Sequence, residues 1–376
     1  MKLKQKLSNW RNALCPMPYA LCLAALLLTG CPDTRPPQHH HDAITRDTSS
    51  IIPSHFQKVG FNDLPGWRDD DVRYALQAFR QTCRARINYN GQVVADRALL
   101  EEKCRLLPPQ SADVRTVRTW FESHFQPYRV RDERGNSRGL FTGYYSPTIN
   151  ACRRRTAECN EPLMGLPTDG RNFRGVPREQ IVRQQIGQPL FWANIVDVQN
   201  IQIQGSGKIR LEDGTKVKLN FAGHNDMQFR SIGAQLQERG IRPEGGMSAD
   251  AVWAHLRRNP ALAREVINNN PRYIFFKIAN NNDVIGALNV PLSRIRSIAI
   301  DNTIYSLGLP VYVDTTLANG QRFRRLMIAQ DTGNAIRGWI RVDLYFGEGE
   351  EALRHAAGQH AQGEKFIFMP KPHTFR

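Results

Sequence analysis

Aspartates near the C-terminal end are the residues of this chain best suited to moving protons. The stretch Gln330-Asp-Thr-Gly-Asn-Ala-Ile-Arg-Gly-Trp-Ile-Arg-Val-Asp-Leu-Tyr-Phe-Gly347 holds Asp331, ahead of a Thr-Gly turn, and Asp343, inside an apolar, strand-like run. A third, Asp301, closes Ser297-Ile-Ala-Ile-Asp301. Taken alone, Asp331 reads as an Asx-turn residue and Asp301 as the end of a strand. Asp343 is harder to dismiss, because aspartate is depleted in strands. In a strand it shares a face with Arg341 and Tyr345, while Val342, Leu344 and Phe346 fill the other. A carboxyl group held there can act as a general acid if burial, or a charged Asp331 close by, raises its pKa; Arg341 would lower it.

Other chemistries find less support. Gly205-Ser-Gly-Lys208 has the GK pair of a phosphate loop, but Gln202 and Ile209 stand where that loop needs Gly and Ser or Thr. Gly347-Glu-Gly-Glu-Glu-Ala352 follows a strand, yet its glutamates would repel a pyrophosphate and no βαβ unit surrounds it. There is no HExxH and no nucleophile elbow. His39-His40-His41 reads as linker, and His224, in a polar turn, as a turn residue. No cofactor and no metal are expected.

The N-terminus bounds the compartment. Lys2, Lys4, Lys6 and Arg11 precede an apolar run from Tyr19 to Leu28, and Leu28-Thr-Gly-Cys31 follows. Residues 1–30 read as a signal peptide, and the tetrapeptide resembles a bacterial lipobox, in which Cys31 would carry the lipid. Residues 31–58, rich in Pro, Thr, Ser and His, read as a flexible tether. The formal charge of +16 speaks to partners rather than fold. With export, nucleic acid is excluded as a partner, and anionic cell-wall peptides or lipid suit the charge better. Of seven cysteines, Cys83, Cys104, Cys152 and Cys159 remain beyond Cys31. In an oxidising compartment these read as disulfides, with local pairing favoured among the connectivities; zinc is the other reading, without a CxxC to support it.

The elements that must position the aspartates follow from periodicity. Helices are expected over Asp69–Arg86, over Ala95–Leu107, and from a Ser111 cap through Val117, Trp120 and Phe121. Leu140 to Pro147 reads as a strand. Val196, Val198, Ile201 and Ile203 alternate like a strand leading into Gln204-Gly-Ser-Gly207, and Asp213-Gly214 marks a hairpin. Ser231 and Ser248 open further helices, Pro260 another, and Arg272–Lys277 returns to strand. Four short strands then follow, Ser297–Asp301, Pro310–Thr316, Arg322–Gln330 and Ile340–Phe346, an arrangement that suits a barrel or sandwich.

Taken together, the three aspartate segments resemble the three-aspartate domain, a double-psi β-barrel. Phe141-Thr-Gly-Tyr-Tyr-Ser-Pro147, Gln204-Gly-Ser-Gly207, Phe229-Arg-Ser-Ile-Gly233 and Asn270-Pro-Arg-Tyr-Ile-Phe-Phe-Lys277 resemble the membrane-bound lytic murein transglycosylase A family. Two departures stand out: Ser306 occupies a position where the barrel motif usually has Pro, and the cysteine pairs are not part of the family pattern. The resemblance implies a mainly β fold with helices: a discontinuous double-psi barrel catalytic domain, residues 59–146 plus 273–376, carrying an inserted β-rich domain, residues 147–272, with the glycan in the groove between them. It implies peptidoglycan as substrate, and cleavage of the β-1,4 bond between N-acetylmuramic acid and N-acetylglucosamine without water, leaving 1,6-anhydro ends. Asp343 takes the place of the catalytic acid and Asp331 that of its neighbour. Thr142, Tyr144, Gln204, Gly205, Ser206, Gly207 and Lys277 match positions expected to face the groove. Lipid anchoring to the periplasmic face of the outer membrane and association with cell-wall synthesis or hydrolysis complexes would follow. A non-catalytic wall-binding lipoprotein and a water-using muramidase are the alternatives.

Overall fold

The pleat of one strand decides where the proposed acid can lie. In the computed structural model, which describes residues 54–85, 97–280 and 282–372, Val342, Leu344 and Phe346 of β13 (Val342–Glu348) are buried in one apolar core, so Asp343 must face the other way. β13 belongs to a closed ring. β3 (Arg138–Ser146), β13, β10 (Ser297–Ala299), β12 (Arg322–Asp331), β11 (Pro310–Thr316) and β14 (His360–Pro370) are neighbours in that order, and β14 pairs with β3 to shut the barrel. Two of the contacts, β10 with β12 and β13 with β3, are parallel. β2 (Phe125–Val130) and β1 (Phe56–Lys58) extend the sheet from β14.

Helices α1 (Arg73–Thr82) and α3 (Val114–His124) cover this barrel with Phe79, Trp120 and Phe121, which form an aromatic cluster with Phe125. The cap of α3 is Asp113, whose side chain accepts from the Thr116 amide at 2.7 Å, rather than Ser111. α2 (Arg97–Arg105) is joined to the end of α1 by the Cys83–Cys104 disulfide, and Cys152 pairs with Cys159, so the sulfurs go to local disulfides and not to zinc. Buried Asp70 ties this helical layer to the barrel through Arg296, at 2.6 and 2.9 Å.

The second sheet runs β5 (Glu161–Gly165), β6 (Gln188–Ala193), β4 (Thr148–Cys152), β7 (Gly207–Arg210), β8 (Lys216–His224), β9 (Ile274–Ile278). The chain enters it directly from β3, across Pro147. Two expected boundaries move. β9, placed with the barrel in the 273–376 segment, pairs with β8 and buries Ile274 and Phe276 in the second core. β1, placed in the tether, pairs with β2 and buries Phe56 against Trp339 and Tyr305.

The expected strand before Gln204 is a helix, α5 (Ile195–Gln204). Asn194 caps it, accepting from the Val196 amide, and Gly205, at φ 76°, ends it in the left-handed region. Ile195, Val196, Val198 and Ile201 are all buried, so β-branched residues are accommodated by packing on more than one side. Buried Arg178, the first residue of α4 (Arg178–Arg183), holds α5 as well, reaching Gln199 at 3.2 Å while pairing with Glu161 at 3.1 Å. Helices α6 (Ile232–Glu238), α7 (Ala249–Arg258) and α8 (Pro260–Asn268) begin at Ser231, Ser248 and Pro260 as expected. Together with α5 they form a separate apolar cluster that includes Trp253 and Ile267. No helix among the described residues is long and apolar enough to cross a membrane. Residues 1–30, Cys31, His39–His41 and nearly all of the tether lie outside the described residues.

One buried group stands out in the barrel. Lys365 of β14 is 1% exposed, its Nζ lies 3.9 Å from the centre of the Tyr305 ring, and it has no hydrogen-bond partner among the described residues. Burial pushes its pKa down to about 7, against a smaller upward pull from Asp301. A folded-state pKa below the unfolded one means stability is lost as pH falls from the unfolded value towards about 7, and is flat below that. Lys365→Met should therefore raise unfolding free energy at pH 7 by about 1–3 kcal/mol, the cost of an unsatisfied buried polar group. It should also flatten the stability profile between pH 7 and 9 in denaturant titrations. An unchanged slope would show that the lysine finds a partner in solution.

Candidate active-site groove

A groove of about 770 Å³ separates the barrel from the second domain. Asp331, Arg341, Asp343, Tyr144 and Tyr345 line it from the barrel, and Gln204, Ser206, Asn220, Phe221 and Lys277 from the other side. The two aspartates are brought together by register. Ala299 of β10 is opposite Asp331 on one flank and Asp343 on the other, which puts their Cα atoms about two strand spacings, roughly 10 Å, apart.

Asp343 lies beside Thr142 on parallel β3. The Thr142 hydroxyl donates to Asp343 Oδ1 at 2.5 Å and accepts from Arg341 Nη2 at 2.8 Å. The directions are forced, because a guanidinium only donates, so the hydroxyl hydrogen is left for the carboxyl. Oδ1 is thereby occupied. Oδ2 has no protein partner among the described residues and is the oxygen free to carry an exchangeable proton. Burial raises the pKa of Asp343 above the usual carboxylate value, and the Thr142 hydrogen bond and then the Arg341 charge offset this only in part. The competition left open by sequence is won by burial.

Asp331 is held differently. Its Oδ1 accepts from the Ala287 and Thr332 amides, each at 2.9 Å, and its Oδ2 accepts from the Tyr144 hydroxyl at 2.8 Å. Burial lifts its pKa to about 6 against these hydrogen bonds, and the Asp343 charge adds to the rise. Burial and the nearby Asp331 push Tyr144 well above the ordinary tyrosine value, so it remains a donor. Both oxygens of Asp331 are engaged, and only Asp343 offers a free one.

Asp301, the third aspartate, does not line the groove. It is buried, and it accepts from the Gly338 amide at 2.8 Å, from Thr303, and from Arg337 at 2.9 Å. Burial would raise its pKa, but these donors outweigh burial and hold it below the usual value. Its place is to pin the loop that follows Asp331.

Among the other expected positions, Tyr144, Gln204, Gly205, Ser206 and Lys277 line the groove, and Thr142 reaches it through Asp343. Gly207 does not line it. A Cβ there would lie 2.5 Å from Ile201, so the glycine permits close packing of β7 on α5. Sequence reasoning missed Asn220 and Phe221 as groove residues, although Asn220 sits directly across from Lys277 on β8. Asn220 is 5% exposed with an unpartnered Oδ1, whereas Phe221 is 43% exposed. His224, read as a turn residue, also lines the groove. No cluster of three or more His, Cys, Asp or Glu among the described residues is arranged to hold a metal ion.

The hydrogen bond from Tyr144 favours the charged form of Asp331. Tyr144→Phe should therefore raise the Asp331 pKa further above about 6, by roughly one unit for one charge-assisted hydrogen bond. Carboxyl-carbon NMR titration reads this directly, and an unmoved or lowered midpoint would refute the assignment.

Comparison with known proteins gives a consistent set of relatives. A family model described as the MltA specific insert domain matches residues 140–277, and one described as the 3D domain matches residues 296–369. The chain is 33% identical to the membrane-bound lytic murein transglycosylase A of Vibrio cholerae over 234 residues, covering 59% of this chain and 62% of that protein, just under two thirds of its length. The crystallised lytic transglycosylase LtgG of Burkholderia pseudomallei is 31% identical, with a TM-score of 0.58, over 85% of this chain and 96% of that one. Escherichia coli MltA with bound chitohexaose is 26% identical, with a TM-score of 0.67, over 85% of this chain and 96% of that one.

Proposed function

The chain belongs to the membrane-bound lytic murein transglycosylase A family, and from that premise we propose that it cleaves the β-1,4 bond between N-acetylmuramic acid and N-acetylglucosamine in peptidoglycan by attack of the muramic acid's own C6 hydroxyl. The observation that carries this reading is the inequality of the two groove carboxyls. Asp331 and Asp343 are the only acids lining the groove among the described residues, and Asp331 has both oxygens engaged. An ordinary glycosidase needs two working carboxyls, one to protonate the leaving oxygen and one to attack or to activate water. One free carboxyl suffices if the nucleophile is internal to the substrate.

The steps follow from the free Oδ2 of Asp343. Its proton passes to the glycosidic oxygen as the bond to C1 breaks, and N-acetylglucosamine leaves with a 4-hydroxyl. The resulting carboxylate takes the proton of the C6 hydroxyl as O6 bonds to C1, closing the 1,6-anhydro ring and restoring the acid. Acid and base roles fall in sequence on one residue, and the attacking hydroxyl has the proximity of an intramolecular reaction. Thr142 and Arg341 hold the carboxyl in place. Asp331, with Tyr144, keeps a second carboxyl beside it that tunes the local charge. Tyr144, Gln204, Gly205, Ser206 and Lys277 contact the glycan in this reading, and the bound chitohexaose of the Escherichia coli relative supports a saccharide occupant.

Anchoring by lipid on Cys31, at the periplasmic face of the outer membrane, belongs to the same proposal. It is supported by Leu28-Thr-Gly-Cys31 and by the membrane-bound description of the relatives; association with cell-wall synthesis or hydrolysis complexes would be favoured by that position.

Asp343→Asn should lower turnover on purified sacculi by roughly 10²–10⁴, the usual worth of general acid–base catalysis, with sedimentation onto murein nearly unchanged. Mass spectrometry of the digest should find anhydro ends from the parent protein. Reducing ends would indicate a water-using muramidase, and no products at all a binding protein.

A further inference from the structure

The longest unbroken stretch of groove wall comes from the loop between the two aspartates, where Thr332 to Arg337 line the groove one after another. Near the end of that loop is Trp339, whose carbonyl accepts from the Tyr305 hydroxyl at 2.7 Å. Its indole is held by other rings: His55 stacks on it with centroids 3.8 Å apart and planes 16° apart, and Phe56 and Tyr305 meet it edge-on at 5.9 and 6.1 Å. Two of these rings come from the segment that the sequence assigns to the tether. Both are themselves fixed. Phe56 pairs with Val130 across β1 and β2. The Arg131 amide donates to the His55 carbonyl at 2.8 Å, and His55 Nδ1 donates to the Arg131 carbonyl at 3.1 Å. A carbonyl only accepts, so Nδ1 carries the hydrogen and the ring is oriented by β2.

We infer that His55 and Phe56 are positioning residues for the reaction: tied to β2, they hold Trp339, and through it the loop that forms the groove wall between Asp331 and Asp343. This rests on the saccharide reading of the groove proposed above. Neither residue lines the groove, so both act through Trp339. The loop needs such a hold. Asn334 and Ala335 are exposed, and its side-chain ties to the barrel are few: Thr332 to the Ile300 carbonyl, and Asp301 to Arg337 and the Gly338 amide. Segments with few buried contacts open locally at little cost. A stacked indole supplies the missing apolar area at the loop's foot. The stretch ahead of the barrel thus ends as a support of the groove rather than as a leash alone.

Hydrogen exchange and kinetics on the full chain test this. The Ile336 and Gly338 amides, bonded to the Gly333 carbonyl and to Asp301, should exchange about 2–10-fold faster in His55→Ala, the worth of one aromatic ring pair. The Thr215 amide, in the distant Asp213-Gly214 turn, should keep its rate. KM for solubilised glycan strands should rise by a similar factor with kcat nearly unchanged, since Thr142 still holds Asp343. His55→Phe keeps a flat ring and should restore most of both. Unchanged loop exchange in His55→Ala would overturn the inference, and so would faster exchange with KM unmoved. Equal acceleration at Thr215 would mark a general loosening and overturn it as well. If the parent protein yields no anhydro ends, the catalytic reading fails on its own. The hold is then judged by exchange together with sedimentation onto murein, where weaker binding of His55→Ala supports it and equal binding refutes it.

Discussion

Burying one carboxyl on the outer face of a barrel strand is the constraint on which the site depends. Along β13 the side chains alternate by necessity: Val342, Leu344 and Phe346 fill the barrel, and Arg341, Asp343 and Tyr345 face the groove. A one-residue slip would bury Asp343 among apolar side chains and put Leu344 in the groove. The parallel neighbour β3 then supplies Thr142 at the matching level. The hydroxyl of Thr142 orients one carboxyl oxygen and leaves the other facing the groove. Arg341 does not neutralise the acid by direct pairing. It donates to Thr142 and to the carbonyls of Leu140 and Val342, so its charge is felt by Asp343 at one remove, and burial keeps the upper hand.

The same strand also reaches the second domain. Glu348, at the end of β13, receives Lys208 at 3.1 Å and Lys218 at 3.2 Å from β7 and β8, and Lys218 also donates to Ser146 at 2.8 Å. Ser146 is the last residue of β3, where the chain crosses into the insert. The junction therefore joins the strand that carries the acid to the sheet that carries Lys277 and Asn220. Lys218 is nearly inaccessible, and burial lowers its pKa to about 8 against the upward pull of Glu348. A cluster of this kind holds the two walls of the groove at a fixed spacing, which a reaction between atoms in contact requires.

Much of this was legible in the residues because it rests on short-range rules. The apolar alternation of Arg341–Phe346 betrayed Asp343 as an aspartate in a strand, and the caps at Ser231 and Ser248 and the Asp213-Gly214 turn are local signals that tertiary contacts did not override. α5 shows where such reading fails. Val196, Val198, Ile201 and Ile203 alternate as a strand would, but Asn194 and Gly205 bracket them as helix caps, and packing on several faces removed the polar stripe that marks a helix. The pKa contest at Asp343 was not legible, since it depends on how much of the carboxyl is buried and on Arg341 turning to Thr142. The pairing of Lys277 with Asn220 was hidden as well, because it joins strands separated by three helices.

In the proposed reaction one free carboxyl is enough because the attacking oxygen comes from the substrate. Digestion of murein in ¹⁸O-labelled water reads the origin of that oxygen. If the C6 hydroxyl is the nucleophile, the muramic acid ends released by the enzyme carry no label at C1. Label incorporated there at each cut would mean that water attacks, and that a second carboxyl must be found to activate it.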